Sequence, residues 1–83
     1  MEKRYIEDLK IFIRNRESFR IGVRGICVDV RWDKSTMTWI VDIPRAFVSL
    51  RTSAIGFDES EDHLVMRNMG MLCLHEFSLV KRI

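Results

Sequence analysis

The segment FRIGVRGICVDVRW, residues 19–32, decides the fold, because apolar and polar residues alternate along it, slip once and alternate again. The apolar residues hold odd positions before Gly25 and even positions after it: Phe19, Ile21, Val23, then Ile26, Val28, Val30 and Trp32. A period of two is typical of a β-strand with one buried face, and a one-residue slip turns the second half outward unless the backbone absorbs it. Glycine accepts the positive φ of a bulge, so we interpret the segment as one long strand bent at Gly25.

A tight hairpin that turns on Arg24 and Gly25 is the alternative interpretation of the same pattern. It pairs Val23 with Ile26, Ile21 with Val28 and Phe19 with Val30. Two-residue hairpin turns favour glycine at the first position, or asparagine or aspartate before glycine. The pair Arg24-Gly25 fits that preference poorly, which favours the bent strand.

A second stretch of alternation follows the turn sequence Asp33-Lys34-Ser35-Thr36 and predicts an antiparallel hairpin. Closing this turn symmetrically places Trp32 opposite Met37, Val30 opposite Trp39, Val28 opposite Val41, and Ile26 opposite Ile43. All of these side chains then lie on one face, which we expect to be the core face. Cross-strand pairs of this kind contribute about 0.2–1 kcal/mol each beyond burial.

The flanking residues predict one helix and further short strands. Residues 2–16 form a helical stripe of apolar side chains: Tyr5, Ile6, Leu9, Phe12 and Ile13. Pro44 ends a strand and is followed either by a short strand over residues 46–51 or by a single helical turn. Residues 54–57 and 64–66 predict two strands joined by an acidic loop at 58–62. Residues 71–79 predict a last strand, with a helix over 72–83 as the alternative.

The predicted fold class is α+β, with an N-terminal helix followed by a bent antiparallel meander of about five strands in a single domain, residues 1–83. Such a meander either packs the helix on one sheet face or rolls into a small barrel. In outline the barrel form is similar to SH3-like and Sm-like barrels. Residues 25–33 lack the spacing of the Sm motif, and we assign no family.

Several classes of protein are excluded by composition and motifs. Two cysteines are too few for a disulfide-rich secreted scaffold, no run is long enough to span a bilayer, and residues 1–12 lack the apolar core of a signal peptide. We therefore expect a cytoplasmic protein that does not bind membranes. No glycine-rich phosphate loop, strained nucleophile turn or zinc-ligand spacing is present, so we expect no enzyme activity, no cofactor and no metal. The residues tested against zinc are Cys27, His63, Cys73 and His75.

Surplus apolar residues and a segregated acidic loop indicate protein contacts. Hydrophobic residues make up 47% of the chain, which is high for a core this small, so some should contact a second copy or a partner. Ile11 and Ile40 fall on faces expected to point outward and are candidate oligomer contacts. Four carboxylates within five residues create a local field that favours a partner with a basic surface. These candidate protein-binding residues are Asp58, Glu59, Glu61 and Asp62.

The predicted function is a small non-catalytic regulatory module that acts through protein contacts and forms a homodimer, such as a phage or mobile-element inhibitor protein. The alternative is an RNA- or DNA-binding small barrel that contacts phosphates through Lys10, Arg14, Arg16, Arg20 and Arg24. Trp32 and Trp39 fall on the expected core face, where they cannot stack on bases. Three methionines around one turn, Met66, Met69 and Met71, either fill gaps in the core or form an adaptable binding surface.

Overall fold

The computed structural model describes the backbone of residues 3–83 and the side chains of residues 5–83. Helix α1 spans Lys3–Asn15, and the strands are β1 (Phe19–Val23), β2 (Ile26–Asp33), β3 (Thr38–Ile43), β4 (Val48–Thr52), β5 (Ile55–Asp58), β6 (His63–Met66), β7 (Gly70–Cys73) and β8 (Phe77–Arg82). Short 3-10 helices cover Pro44–Ala46 and Leu74–Glu76. The predicted helix is confirmed over this range, and Glu2 lies outside the described residues.

All strand pairs are antiparallel and belong to two sheets. A five-stranded sheet has the order β4, β3, β2, β1, β8, and a three-stranded sheet has the order β5, β6, β7. The chain therefore leaves the large sheet after β4 and returns to it at β8. The predicted α+β class, a helix followed by an antiparallel meander, is confirmed, and the two sheets do not close into a barrel.

Residues 19–32 form a hairpin, so the interpretation as one strand bent at Gly25 is wrong and the alternative is confirmed. Val23 pairs with Ile26, Ile21 with Val28 and Phe19 with Val30. Arg24 has a φ of 51° and Gly25 a φ of 78°, the two successive positive values that a type I′ turn requires. The left-handed conformation costs an arginine about 1–2 kcal/mol. Pairing and burying two strands outweighs that cost, which is why turn preference alone misled the prediction.

The hairpin of β2 and β3 is confirmed, but its predicted register is wrong by two residues. Trp32 pairs with Trp39 rather than Met37, and Val30 pairs with Val41 rather than Trp39. Met37 lies in the turn instead, with a φ of 56° and 60% of its surface exposed. Because strand side chains alternate with a period of two, a shift of two residues keeps the paired side chains Val30, Trp32, Trp39 and Val41 on their predicted face.

The predicted last strand is interrupted. The 3-10 helix Leu74–Glu76 separates β7, which pairs with β6, from β8, which pairs with β1. Leu74 is 1% exposed. In an unbroken strand, its side chain would point to the other face from those of Cys73 and Phe77. Burying it requires the local turn, so neither one strand over 71–79 nor a helix over 72–83 is correct. At Pro44, the helical turn and the following strand are both present.

The core lies between the inner face of the five-stranded sheet, helix α1 and the three-stranded sheet. Phe12 of the helix stacks on Phe19 with ring centroids 5.6 Å apart, and Trp39 meets Phe19 edge-on at 6.2 Å. The side chains most completely removed from water are Leu9, Phe19, Ile21, Val30, Leu64 and Leu74. Among residues 3–83, no helix has the length and apolar character needed to cross a membrane.

Candidate functional site

The predicted acidic contact lies at the turn between β5 and β6, and two of its four acids hold the local structure. The Asp58 carboxylate accepts hydrogen bonds from the Ser60 hydroxyl at 2.6 Å and from the Ser60 amide at 3.0 Å. These bonds favour the ionised form and hold the pKa of Asp58 below its ordinary value. The Asp62 carbonyl accepts a hydrogen bond from the Leu74 amide at 2.9 Å, which fixes the loop to the 3-10 helix.

The other two acids are close to positively charged or ionisable groups of the same chain. Glu59 forms an ion pair with Lys10 of helix α1, and Glu61 Oε2 lies 3.2 Å from His63 Nδ1. Lys10 and Arg14 line one depression of about 720 Å³ together with Ile13, Phe57, Asp58 and Glu59. Residues predicted for a protein contact therefore meet residues predicted for a nucleic-acid contact, and part of the acidic charge is neutralised internally.

The remaining basic candidates are dispersed. Arg20 binds Asp29 through two hydrogen bonds of 2.6 and 3.1 Å, and this carboxylate raises the pKa of Arg20. Arg24 lies in the β1–β2 turn, with its Nε 3.6 Å from Glu76 Oε1. The Arg16 guanidinium lies over the Trp32 ring, 5.0 Å from its centroid. The structure does not gather the five predicted basic residues into one surface.

The two candidate oligomer contacts lie on different sides of the molecule. Ile40 is half-buried on the outer face of the large sheet, where its strand partners are Arg31 and Arg51. Ile11 is 37% exposed and lies on helix α1, which packs against the opposite, inner face through Phe12. One two-fold interface cannot easily contain both residues, and each remains a separate prediction.

Cysteine and histidine side chains are also spread over the molecule. His63 pairs with Cys73 across β6 and β7, whereas Cys27 is exposed on β2 and His75 is exposed in the second 3-10 helix. Within the part of the chain that the structure describes, no three Cys, His, Asp or Glu residues are grouped to hold a metal ion.

An apolar groove that the sequence analysis missed opens between the two sheets. Its volume is about 330 Å³, and Arg24 is the one charged residue among the described residues that line it. The large sheet and the β6–β7 hairpin both contribute to it, through Ile26, Ile43, Leu50, Met66, Met69 and Met71. Alternation had assigned Ile26 and Ile43 to the core, and only the methionine cluster pointed to a binding surface here.

The mouth of this groove is formed by apolar side chains that face water. Ile26 is 40% exposed, Leu50 45% and Met71 62%, whereas Met66 is 5% exposed and belongs to the core. The methionine cluster is therefore divided: Met66 fills the core, whereas Met71 lies at the surface, where a binding role stays a prediction. A concave apolar site with few charged groups is typical of binding sites.

Phe47 lies in the chain between the groove residues Ile43 and Leu50 and is 97% exposed. It follows the 3-10 helix Pro44–Ala46 with a φ of 55°, and its amide donates a hydrogen bond to the Pro44 carbonyl at 3.1 Å. A positive φ is rare for a bulky residue. The backbone therefore holds an aromatic ring in solvent beside the first residue of β4.

No family model, curated protein or solved structure matches this chain. The surfaces themselves are therefore the basis for assigning a function. Four of the predicted charged residues, Lys10, Arg20, Arg24 and Glu59, contact groups of opposite charge within residues 5–83, but the apolar mouth of the groove is left open to solvent.

Proposed function

We propose that this chain is a small non-catalytic regulatory module that binds a protein partner through the apolar groove. The observation that supports this most strongly is the groove of about 330 Å³ with Leu50 and Met71 exposed at its mouth. Removing apolar surface from water contributes about 25 cal/mol per Å². A partner that covers the groove gains burial that the isolated chain lacks, and the flexible Met71 thioether can adapt to its shape.

The charges around the groove favour a partner with an apolar segment flanked by acidic residues. Arg24 lines the groove, Arg45 follows Ile43 by two residues and Arg67 follows Met66 directly. All three arginines are exposed. Acidic side chains beside an apolar segment would complement Arg24 in the groove and the exposed arginines that neighbour its lining residues in the chain, and would speed the encounter of the two proteins.

The acidic loop stays a predicted second contact for a basic region of a partner. The carboxylates of Glu61 and Asp62 are the more available ones, because Glu59 is already paired with Lys10 and Asp58 with Ser60, whereas Asp62 is held through its backbone carbonyl and Glu61 stays largely exposed beside His63. An intracellular inhibitor protein of a phage or mobile element fits this size and these contacts. That hypothesis still depends on the sequence alone.

Nucleic-acid binding is less well supported. Arg20 and Lys10 form ion pairs with Asp29 and Glu59, and Trp39 is 4% exposed and cannot stack on a base. Phosphate contacts need basic side chains that are free to neutralise phosphates and so displace the counterions condensed on the nucleic acid. Arginines already bound to carboxylates must first break those contacts.

The groove can be tested with peptide display, because the partner chemistry is specified. Random peptides selected on the wild-type chain should be enriched in apolar segments flanked by Asp and Glu. Met71→Glu should weaken their binding at least about tenfold, since it places a carboxylate at the apolar mouth. Met37→Glu is the matched control, because Met37 is 60% exposed, close to the 62% of Met71, but lies in the β2–β3 turn. Selection of basic peptides that bind Met71→Glu equally well would contradict the proposal.

A further inference from the structure

The two edges of the five-stranded sheet are treated differently. Strand β8 packs against helix α1, where the Tyr5 hydroxyl donates a hydrogen bond to the Ser78 carbonyl at 3.0 Å, and Arg82 contacts Glu17, just after the helix, at 2.9 Å. Along the other edge, residues 48–51 of β4 are all exposed. Among the described residues, no turn, loop or side-chain hydrogen bond involves the backbone of residues 48–51. Strand β4 is therefore an open edge.

Strand β4 also lacks the devices that usually prevent edge pairing, such as outward lysines, a proline within the strand or a bulge. Its one charged residue is Arg51, whose Nη1 donates to Asp33 and to the hydroxyls of Thr36 and Thr38, each at 2.9 Å. The guanidinium charge is thus compensated within its own sheet. Two β4 edges can approach each other without an uncompensated repulsion.

We infer that β4 pairs with β4 of a second copy of this chain, antiparallel across a two-fold axis. This pairing goes beyond the proposed function, because it uses the edge of the large sheet: it shares Leu50 with the groove and does not involve Met66, Met69 or Met71. It joins the large sheets of the two copies into one continuous sheet. A two-fold axis requires the same segment on both sides, and an antiparallel strand satisfies this condition.

The residues of β4 specify a register in which Ser49 lies on the axis. Val48 of each copy then lies opposite Leu50 of the other, and Phe47 comes to the level of Arg51 of the other. Directly opposite residues of paired strands share a face, so the apolar side chains of Val48 and Leu50 meet on the inner face. The 38% exposure of Val48 and 45% of Leu50 is thereby reduced in one contact.

A shift that places Leu50 on the axis is less favourable. It puts Val48 opposite Thr52, whose side chain is 3% exposed because its hydroxyl donates to the Arg67 carbonyl at 2.8 Å.

Sedimentation equilibrium over a range of concentrations tests the pairing. The wild-type chain should dimerise, and Val48→Lys should raise the dimer dissociation constant at least about tenfold, because it places two ammonium groups beside the pairing edge. Val65→Lys is the matched control, since Val65 is also 38% exposed but lies on β6, the middle strand of the small sheet. A wild-type chain that stays monomeric at millimolar concentration overturns the inference. So does a dimer that Val48→Lys does not weaken.

Disulfide trapping tests the register. In a Cys27→Ser background, which removes the exposed native thiol, Ser49→Cys should form a covalent dimer on mild oxidation, because opposite Cβ atoms near the axis are about 4.5–5.5 Å apart. Ser35→Cys in the exposed β2–β3 turn is the control. Equal rates of cross-linking at positions 35 and 49 overturn the arrangement. Met71→Glu should leave dimerisation unchanged, so failure of the groove proposal and failure of this one are distinguishable.

Discussion

Replacing Trp39 by alanine is expected to remove a large part of the stability of this chain. Trp39 is 4% exposed, and its ring centroid lies 6.2 Å from that of Phe19 and 5.2 Å from that of Trp32. Burying about 200 Å² of aromatic surface contributes about 5 kcal/mol as an upper value. Substitutions of this kind cost about 3–5 kcal/mol. A chain of 83 residues has a free energy of unfolding of about 4–12 kcal/mol.

Urea unfolding followed by far-ultraviolet circular dichroism measures this loss. Trp32→Ala is the internal comparison, because Trp32 is only partly buried and has the Arg16 guanidinium over its ring at 5.0 Å. It should cost less than Trp39→Ala. In a Trp32→Phe variant, the emission of Trp39 should be blue-shifted and shielded from acrylamide. A loss below about 1 kcal/mol for Trp39→Ala, or a larger loss for Trp32→Ala, would refute the assignment of Trp39 to the core.

Three further substitutions test the turns that shape the fold. Arg24→Asn should raise the free energy of unfolding by up to about 1 kcal/mol, because asparagine accepts the left-handed conformation of this turn; an unchanged or lower value in urea unfolding would argue against a type I′ turn. Thr52→Val should lower it by about 1–3 kcal/mol, since the Arg67 carbonyl loses its hydrogen bond; a neutral effect would mean that water replaces the hydroxyl. Hydrogen bonds from Ser35, Arg51 and Thr36 hold the pKa of Asp33 well below its ordinary value, so the stability that this carboxylate contributes is present above about pH 4 and lost as the pH falls further. Asp33→Asn should therefore flatten the acid side of a plot of urea midpoint against pH, and an acid side as steep as in the wild type would exclude this role.

Burial was easier to predict than strand connection. The face of β2 and β3 was predicted correctly although the register was not, because Trp32 opposite Met37 and Trp32 opposite Trp39 differ by an even number of residues. The face that a side chain takes follows from the alternation within its own strand, whereas the register between two strands depends on where the turn closes. The hairpin at Arg24 illustrates the same limit. A left-handed arginine is unfavourable locally and is accepted only because long-range pairing with β2 and β8 outweighs it.

The groove could not have been predicted from alternation, because alternation marks Ile26 and Ile43 as buried and cannot tell which part of a sheet face remains uncovered. Coverage depends on where the small sheet and the helix pack, and these contacts join residues distant in sequence. The same reason limits what charge counts can say about the acidic loop. Glu59 meets Lys10 only after the chain has folded, so the separate positive and negative segments partly neutralise each other.

The outer face of the large sheet explains why assembly should use the apolar side of the molecule instead. Along β2, outward side chains alternate in charge, and each pairs with an opposite charge on another strand: Asp29 with Arg20, Arg31 with Asp42, and Asp33 with Arg51. Exposed ion pairs contribute only about 0–1 kcal/mol each to the free energy of unfolding. Their main effect here is therefore on the electric field around this face. A face whose charges cancel locally neither attracts nor repels a partner over distance. This supports the proposed contacts at the β4 edge and in the adjoining groove, where apolar side chains remain in water and Leu50 belongs to both surfaces.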